Sequence, residues 1–181
     1  MCKHRGFTLT ELLVGISIVS ILLGIAVPSY RYVTNSYRVS SEVNGLLGDL
    51  MFARSEAIKE GQFVTVCASA DGATCSGSTA WNTGWIVFSN ATNAAQPSGG
   101  ILRLQPRFAG TTPDTFNADN GVSAVTYNRE GFATAAAFLN TTITLHDPSA
   151  NPVWSRCLFI TPQGMLTTET PASDPSGTCV N

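Results

Sequence analysis

The sequence predicts an α+β protein: a long N-terminal helix, transmembrane in its first half and amphipathic in its second, packed on an antiparallel β-rich head. Three observations predict it. From Leu12 to Tyr30 no side chain is charged, and about 20 apolar residues suffice to cross a bilayer. Beyond that run, apolar residues recur mostly at three- and four-residue steps as far as Ile58, the period of a helix with one buried face. After Gly61 the period falls to two, in short segments rich in β-branched and aromatic residues.

The elements follow in order. The opening MCKHRG is short and basic. Lys3, His4 and Arg5 ahead of the apolar run place the N-terminus in the cytoplasm and the body outside it, by the positive-inside rule. A helix from Phe7 to Glu60 would be roughly 80 Å long at 1.5 Å per residue, so only its first half fits in a membrane. Pro28 falls midway and is expected to kink or locally melt the helix, because proline removes one helical hydrogen bond. In the second half Val33, Tyr37, Val43, Leu46, Leu47, Leu50, Ala53, Ala57 and Ile58 form the apolar stripe. Arg38, Glu42, Asp49, Arg54, Glu56 and Lys59 take mostly the other positions, and Gly61 supplies the stop. Strands are expected at 63–68, 85–89, 101–108, 122–127, 141–147, 156–161 and 164–168, with a loop at 170–177. No helix alternates with them, which excludes βαβ units and predicts antiparallel pairing. The domains are then 1–6, 7–30, 31–61 and 62–181.

Charged residues make up only 12% of the chain, about half the usual share. The body is rich in Thr, Ser, Ala, Asn and Gly, a polar but weakly charged surface. With a net charge of −2 there is no global field to draw in nucleic acid. Cys2 precedes the apolar run, and Cys67, Cys75, Cys157 and Cys179 lie in the body. Those four allow three connectivities. Pairing neighbours in sequence, Cys67–Cys75 and Cys157–Cys179, is the simplest, and each closure stabilises by roughly 3 kcal/mol on the loop-entropy model. Bridges imply an oxidising compartment; the alternative is buried free thiols. No C-x-x-C or paired His suggests a metal site. His146 is the only His after the leader, at a strand end, and no nucleophile or phosphate-loop motif is present. Neither an enzyme nor a cofactor is expected.

Glu11, a single carboxylate near the start of an apolar run, asks for a reason. The run reads as a cleavable signal peptide ending in LGIA (23–26), as a plain anchor, or as a helix start in which Thr8 and Glu11 form a capping box. A fourth reading comes from GFTLTELL (6–13), which resembles the leader and helix start of type IV prepilins and type II secretion pseudopilins. That resemblance implies a prepilin peptidase that cuts after Gly6 and N-methylates Phe7, with the apolar helix kept. It also gives Glu11 a role, pairing with the N-terminal amine of a neighbouring subunit during assembly, and makes Pro28 a position where the helix loosens. A charge in hydrocarbon costs roughly 2.5–3.5 kcal/mol on insertion scales, and a partner's amine would offset that cost.

The body narrows the resemblance. LLGDLMFARSEAIKEGQFVTVCAS (46–69), DGATC (71–75), WNTGWIVFSN (81–90) and SRCLFITPQGMLTT (155–168) are similar to the GspH/FimT family. Membership implies a pilin-like fold, residence in the inner membrane with a periplasmic head, and incorporation as a minor pilin beside other minor and major pilins. The pseudopilin role is the alternative within the family. Some relatives bind DNA through a G-R-x-R pattern; here the matching stretch is Gly164, Met165, Leu166, Thr167, with both arginines replaced. Non-specific DNA affinity rests on Lys and Arg contacts to phosphates, and 158–181 has neither residue. Loss of Lys3 and Arg5 with the leader would take the charge from −2 to about −4. Arg103 and Arg107, four residues apart on one expected strand, form the one small candidate patch, so DNA binding is not expected. Trp81, Trp85 and Phe88 read as core or rim aromatics, and Ala53, Ala57 and Ile58 as residues that let sheet approach helix.

Overall fold

The computed structural model describes residues 8–108, 114–134, 141–149, 151–174 and 179. It divides into two compact units, Met1–Tyr37 and Arg38–Asn181. Helix α1 (Leu9–Glu60) begins in the first unit and ends in the second. In the first unit it is the only described element, and the backbone stays helical through Pro28, so the local melting expected there is absent from this form. Gly61 ends α1 in the left-handed conformation, φ 63°, which glycine adopts without a Cβ clash.

Among the described residues the second unit joins the rest of α1 to eight strands: β1 (Phe63–Ala68), β2 (Gly84–Asn90), β3 (Ile101–Pro106), β4 (Thr115–Ala118), β5 (Ala124–Tyr127), β6 (Thr141–His146), β7 (Arg156–Ile160) and β8 (Leu166–Glu169). They form two four-stranded sheets, ordered β3-β2-β1-β5 and β4-β6-β7-β8. Every pairing is antiparallel. Cys67 is bonded to Cys75 and Cys157 to Cys179, with Cα atoms 5.6 Å apart in each pair.

One seam of α1 holds the core. Val39, Val43, Leu46, Leu50, Ala53 and Ala57 are buried, at steps of four and three that keep one helical face in line. They join Val64 and Val66 of β1, Trp85 and Val87 of β2, Ile143 and Leu145 of β6, and Leu158 and Ile160 of β7 in one cluster. Burial of each large aliphatic chain contributes about 1.5–3 kcal/mol. On the other side of the first sheet Cys67, Ile86 and Phe88 make a smaller cluster with Cys75, so the first disulfide also packs.

The seam corrects the predicted stripe. Val33 and Tyr37 fall out of phase with it and are exposed, and Val39 takes the first core position instead. Ile58 is 53% exposed, because the residue after core Ala57 must point about 100° away. Its Cδ1 instead lies against Gly131. The expected strands at 101–108 and 122–127 are shorter, ending at Pro106 and starting at Ala124. Strand β4 was not expected. Within TFNA only Phe116 is fully buried, and the flanking Asp114, Asp119 and Asn120 read as turn; pairing to β6 makes the strand.

Two turns meet at the C-terminal end of α1. Arg54 donates from Nε to the Gly131 carbonyl at 3.0 Å and from Nη2 to the Gln163 carbonyl at 3.2 Å. Gly164 sits between them at φ 74°, and a Cβ there would lie 2.5 Å from the Gly131 oxygen. Gly164→Ala should therefore destabilise by about 2 kcal/mol or more, from backbone strain and the clash together. Thermal unfolding of the full chain checks this, as a Tm drop of roughly 4–8 °C.

Candidate functional site

In the first unit the site is the N-terminal end of α1. An 18-residue window of this helix has mean hydropathy 2.4, long and apolar enough to cross a membrane. Thr8 caps it: the Glu11 amide donates to Thr8 Oγ1 at 3.3 Å, and the Leu12 amide to the Thr8 carbonyl at 3.1 Å. The return bond of a full capping box, from the Glu11 carboxylate to the Thr8 amide, is not among the hydrogen bonds of the described residues. Capping therefore uses the Glu11 backbone and leaves its carboxylate exposed beside a shallow groove of about 460 Å³ lined by Leu12, Gly15, Ile16, Val19 and Ser20. Ser17 and Ser20 return their hydroxyls to the Leu13 and Ile16 carbonyls, at 2.8 and 2.7 Å. Such back-bonding satisfies a hydroxyl within the helix; among the described residues no counterpart serves the Glu11 carboxylate. Gly6, Phe7 and Cys2 lie outside the described residues.

In the second unit α1 is pinned to the first sheet through Asp49. Trp85 Nε1 donates to Asp49 Oδ2 at 2.8 Å, and Arg103 Nη1 to Oδ1 at 2.9 Å. The Arg103 guanidinium also lies 3.8 Å over the Phe52 ring. Trp85 itself is 1% exposed and meets Phe108 and Phe116 edge-on, centroids 5.9 and 6.3 Å apart. Trp81 is buried too, its Nε1 donating to the Val122 carbonyl at 3.2 Å.

About three turns N-terminal to Asp49 on α1, Arg38 grips Asp114 with Nε at 2.8 Å and Nη2 at 2.7 Å. Burial, and next the neighbouring Asp114 carboxylate, push the Glu42 carboxyl up to about 8, against the pull of Arg38. A groove of about 450 Å³ opens beside Glu42, lined by Ser41, Gly45, Gln105, Arg107 and Phe108, with Trp85 at its floor.

The arginines read as a DNA patch have other settings. Arg103 is engaged by Asp49 and Phe52, and Arg107 lies past the end of β3 on the rim of that groove. At the turn where some relatives carry two arginines, Met165 is 61% exposed, and the nearby cation, Arg54, is spent on two carbonyls. His146 closes β6 with a nitrogen 2.7 Å from Thr115 Oγ1. Sequence reasoning passed over Asp49 as a surface charge and did not single out Asp114. The sequence signals were slight: an acid at a boundary position of the stripe, and an acid in a turn-like segment.

An apolar N-terminal helix that continues as the spine of a two-sheet antiparallel head defines a pilin-like protein. The chain belongs to the family described as Type II transport protein GspH, whose model matches residues 42–164. Residues 1–27 match the prokaryotic N-terminal methylation motif. Among curated proteins none matches the sequence. Two crystal forms of the Pseudomonas aeruginosa (strain PAO1) type IV minor pilin FimU share the fold, each at 20% identity and over 77% of this chain. Their TM-scores are 0.60 and 0.55, over 94% and 97% of the FimU chains.

Asp49→Ala should destabilise the head by about 1–3 kcal/mol, because it strands a buried indole N–H. Arg103→Ala should cost about 1 kcal/mol or less, since its side chain is half exposed. Denaturant unfolding of the two variants checks that order.

Proposed function

We propose that this chain is a minor pilin of a type IV pilus, made as a prepilin and taken into the filament to support its assembly. The observation that carries the reading is the methylation motif on an apolar helix that leads directly into a GspH-family head. On this reading a prepilin peptidase cuts after Gly6 and N-methylates Phe7. The subunit waits in the inner membrane as a single span, N-terminus in the cytoplasm and head in the periplasm. The partners are other minor and major pilins, and the head works by binding them.

The Glu11 carboxylate, exposed and outside the capping interaction, is then the registering group. Ionised in an apolar bundle it attracts the N-terminal amine of a neighbouring Phe7, and the attraction grows as water is excluded. Pro28 gives the span a point where the helix can open during assembly, at the cost of one hydrogen bond.

The name of the matching family favours one second reading, a pseudopilin of a type II secretion system. DNA binding draws less support, since Met165 and Thr167 stand where some relatives have arginines and Arg103 is already engaged.

Deletion of the protein should remove or thin surface pili and leave secretion intact. Intact pili with failed secretion would move the assignment to the pseudopilin. In the same cells Glu11→Ala should insert in the membrane normally and enter sheared filaments at least ~10-fold less, about 1.4 kcal/mol of lost pairing. Equal incorporation would reject the pairing role and leave Glu11 as helix-start chemistry alone.

A further inference from the structure

The head contains a buried polar atom in unusual company. Glu42 Oε2 is shut off from water and receives no hydrogen bond. Buried acceptors are nearly always paired, so an orphan requires a reason. Asp114, whose side chain is 1% exposed, already takes both donors that Arg38 aims at it. One guanidinium therefore stands beside two carboxyl groups, and it is committed to one of them. Two adjacent carboxylates in such a site do not readily ionise together. A proton on Glu42 removes both faults: it turns the orphan acceptor into a donor and cancels the repulsion from Asp114.

We propose that Glu42 is a proton-held latch: neutral, it donates to Asp114 and completes an Arg38–Asp114–Glu42 chain that ties α1 to the residue just before β4; ionised, it leaves that chain.

The charged groups around Glu42 come from each neighbouring element. Arg38, on its own helix, favours the ion. Asp114, ahead of β4, favours the neutral form. Asp147, just after β6, is 4% exposed and close enough to act on Arg38, so it competes for that cation. Arg107, past the end of β3, lines the same groove as Glu42, while Arg103 of β3 is paired with Asp49. Desolvation comes first in the balance, and with Asp114 it outweighs Arg38.

The direction of the pH effect follows. The folded chain holds a proton that the unfolded chain gives up at the ordinary glutamate value. The latch's contribution is therefore whole below about 4.5 and is lost as pH rises through about 8. The head is gripped more tightly in mildly acidic than in alkaline medium.

The test uses the full-length chain in detergent micelles. Thermal unfolding is followed at pH values from about 5 to about 9, with Glu42→Gln as the permanently neutral donor. Wild type should lose ~3 °C or more of Tm relative to Glu42→Gln across that range. Parallel profiles for the two proteins would overturn the latch. A second readout does not depend on how the variant folds: the carbon-13 shift of the Glu42 carboxyl in wild type. Its midpoint should lie well above the ordinary glutamate value, and a midpoint near that value, about 4.5, would overturn the proposal as well.

Discussion

The head depends on a single apolar seam. From Val39 to Ala57 one face of α1 repeats every seven residues and fills the core shared with both sheets. Small residues at 53 and 57 allow close approach, and large ones at 46 and 50 fill the wider part. The polar fasteners sit alongside the seam. Asp49 carries Trp85 and Arg103, Arg38 carries Asp114, and Arg54 carries the turns at Gly131 and Gln163. Each spans from α1 to a loop or strand far away in sequence. The helix is therefore a working part of the head from Arg38 onward.

Upstream of that point the same helix follows different rules. No side chain of the span is buried within the chain, and its surface is apolar nearly throughout. Such a surface is matched to lipid or to other helices, and the physics of lipid makes one carboxylate conspicuous. Thr8 answers only half of the Glu11 question: it accepts from the amide and leaves the acid exposed. An element that is a packing seam at one end and an unpartnered apolar span at the other suits a subunit stored in a membrane and then drawn into a bundle.

Much of this was legible in the sequence because periodicity reports which face is buried. The change of period at Gly61, the antiparallel pairing and the sequence-neighbour pairing of cysteines all rest on local pattern. What escaped rests on tertiary context. Strand β4 carries one large inward residue, Phe116, and exists because β6 offers an edge. The seam's phase was misjudged at Val33, Tyr37 and Ile58 because several three- and four-step paths run through one apolar stretch; contact with the sheets selects among them. Glu42 and Asp114 are 72 positions apart in the numbering, and no local pattern brings two acids to one arginine. Arg103 looked available to a phosphate for the same reason: its acceptor, Asp49, lies on another element.

The central claim is that one helix is both membrane span and filament spine, and its most direct test is the N-terminus of the protein from native membranes. Intact mass and N-terminal sequencing should find a chain that starts at N-methyl-Phe7 and is lighter by the hydrogens of two disulfides. A chain starting at Val27 would contradict the account, because the span would then be a signal peptide discarded before any assembly. An uncut chain beginning at Met1 would contradict it too, leaving a simple anchor with no new amine for Glu11 to meet.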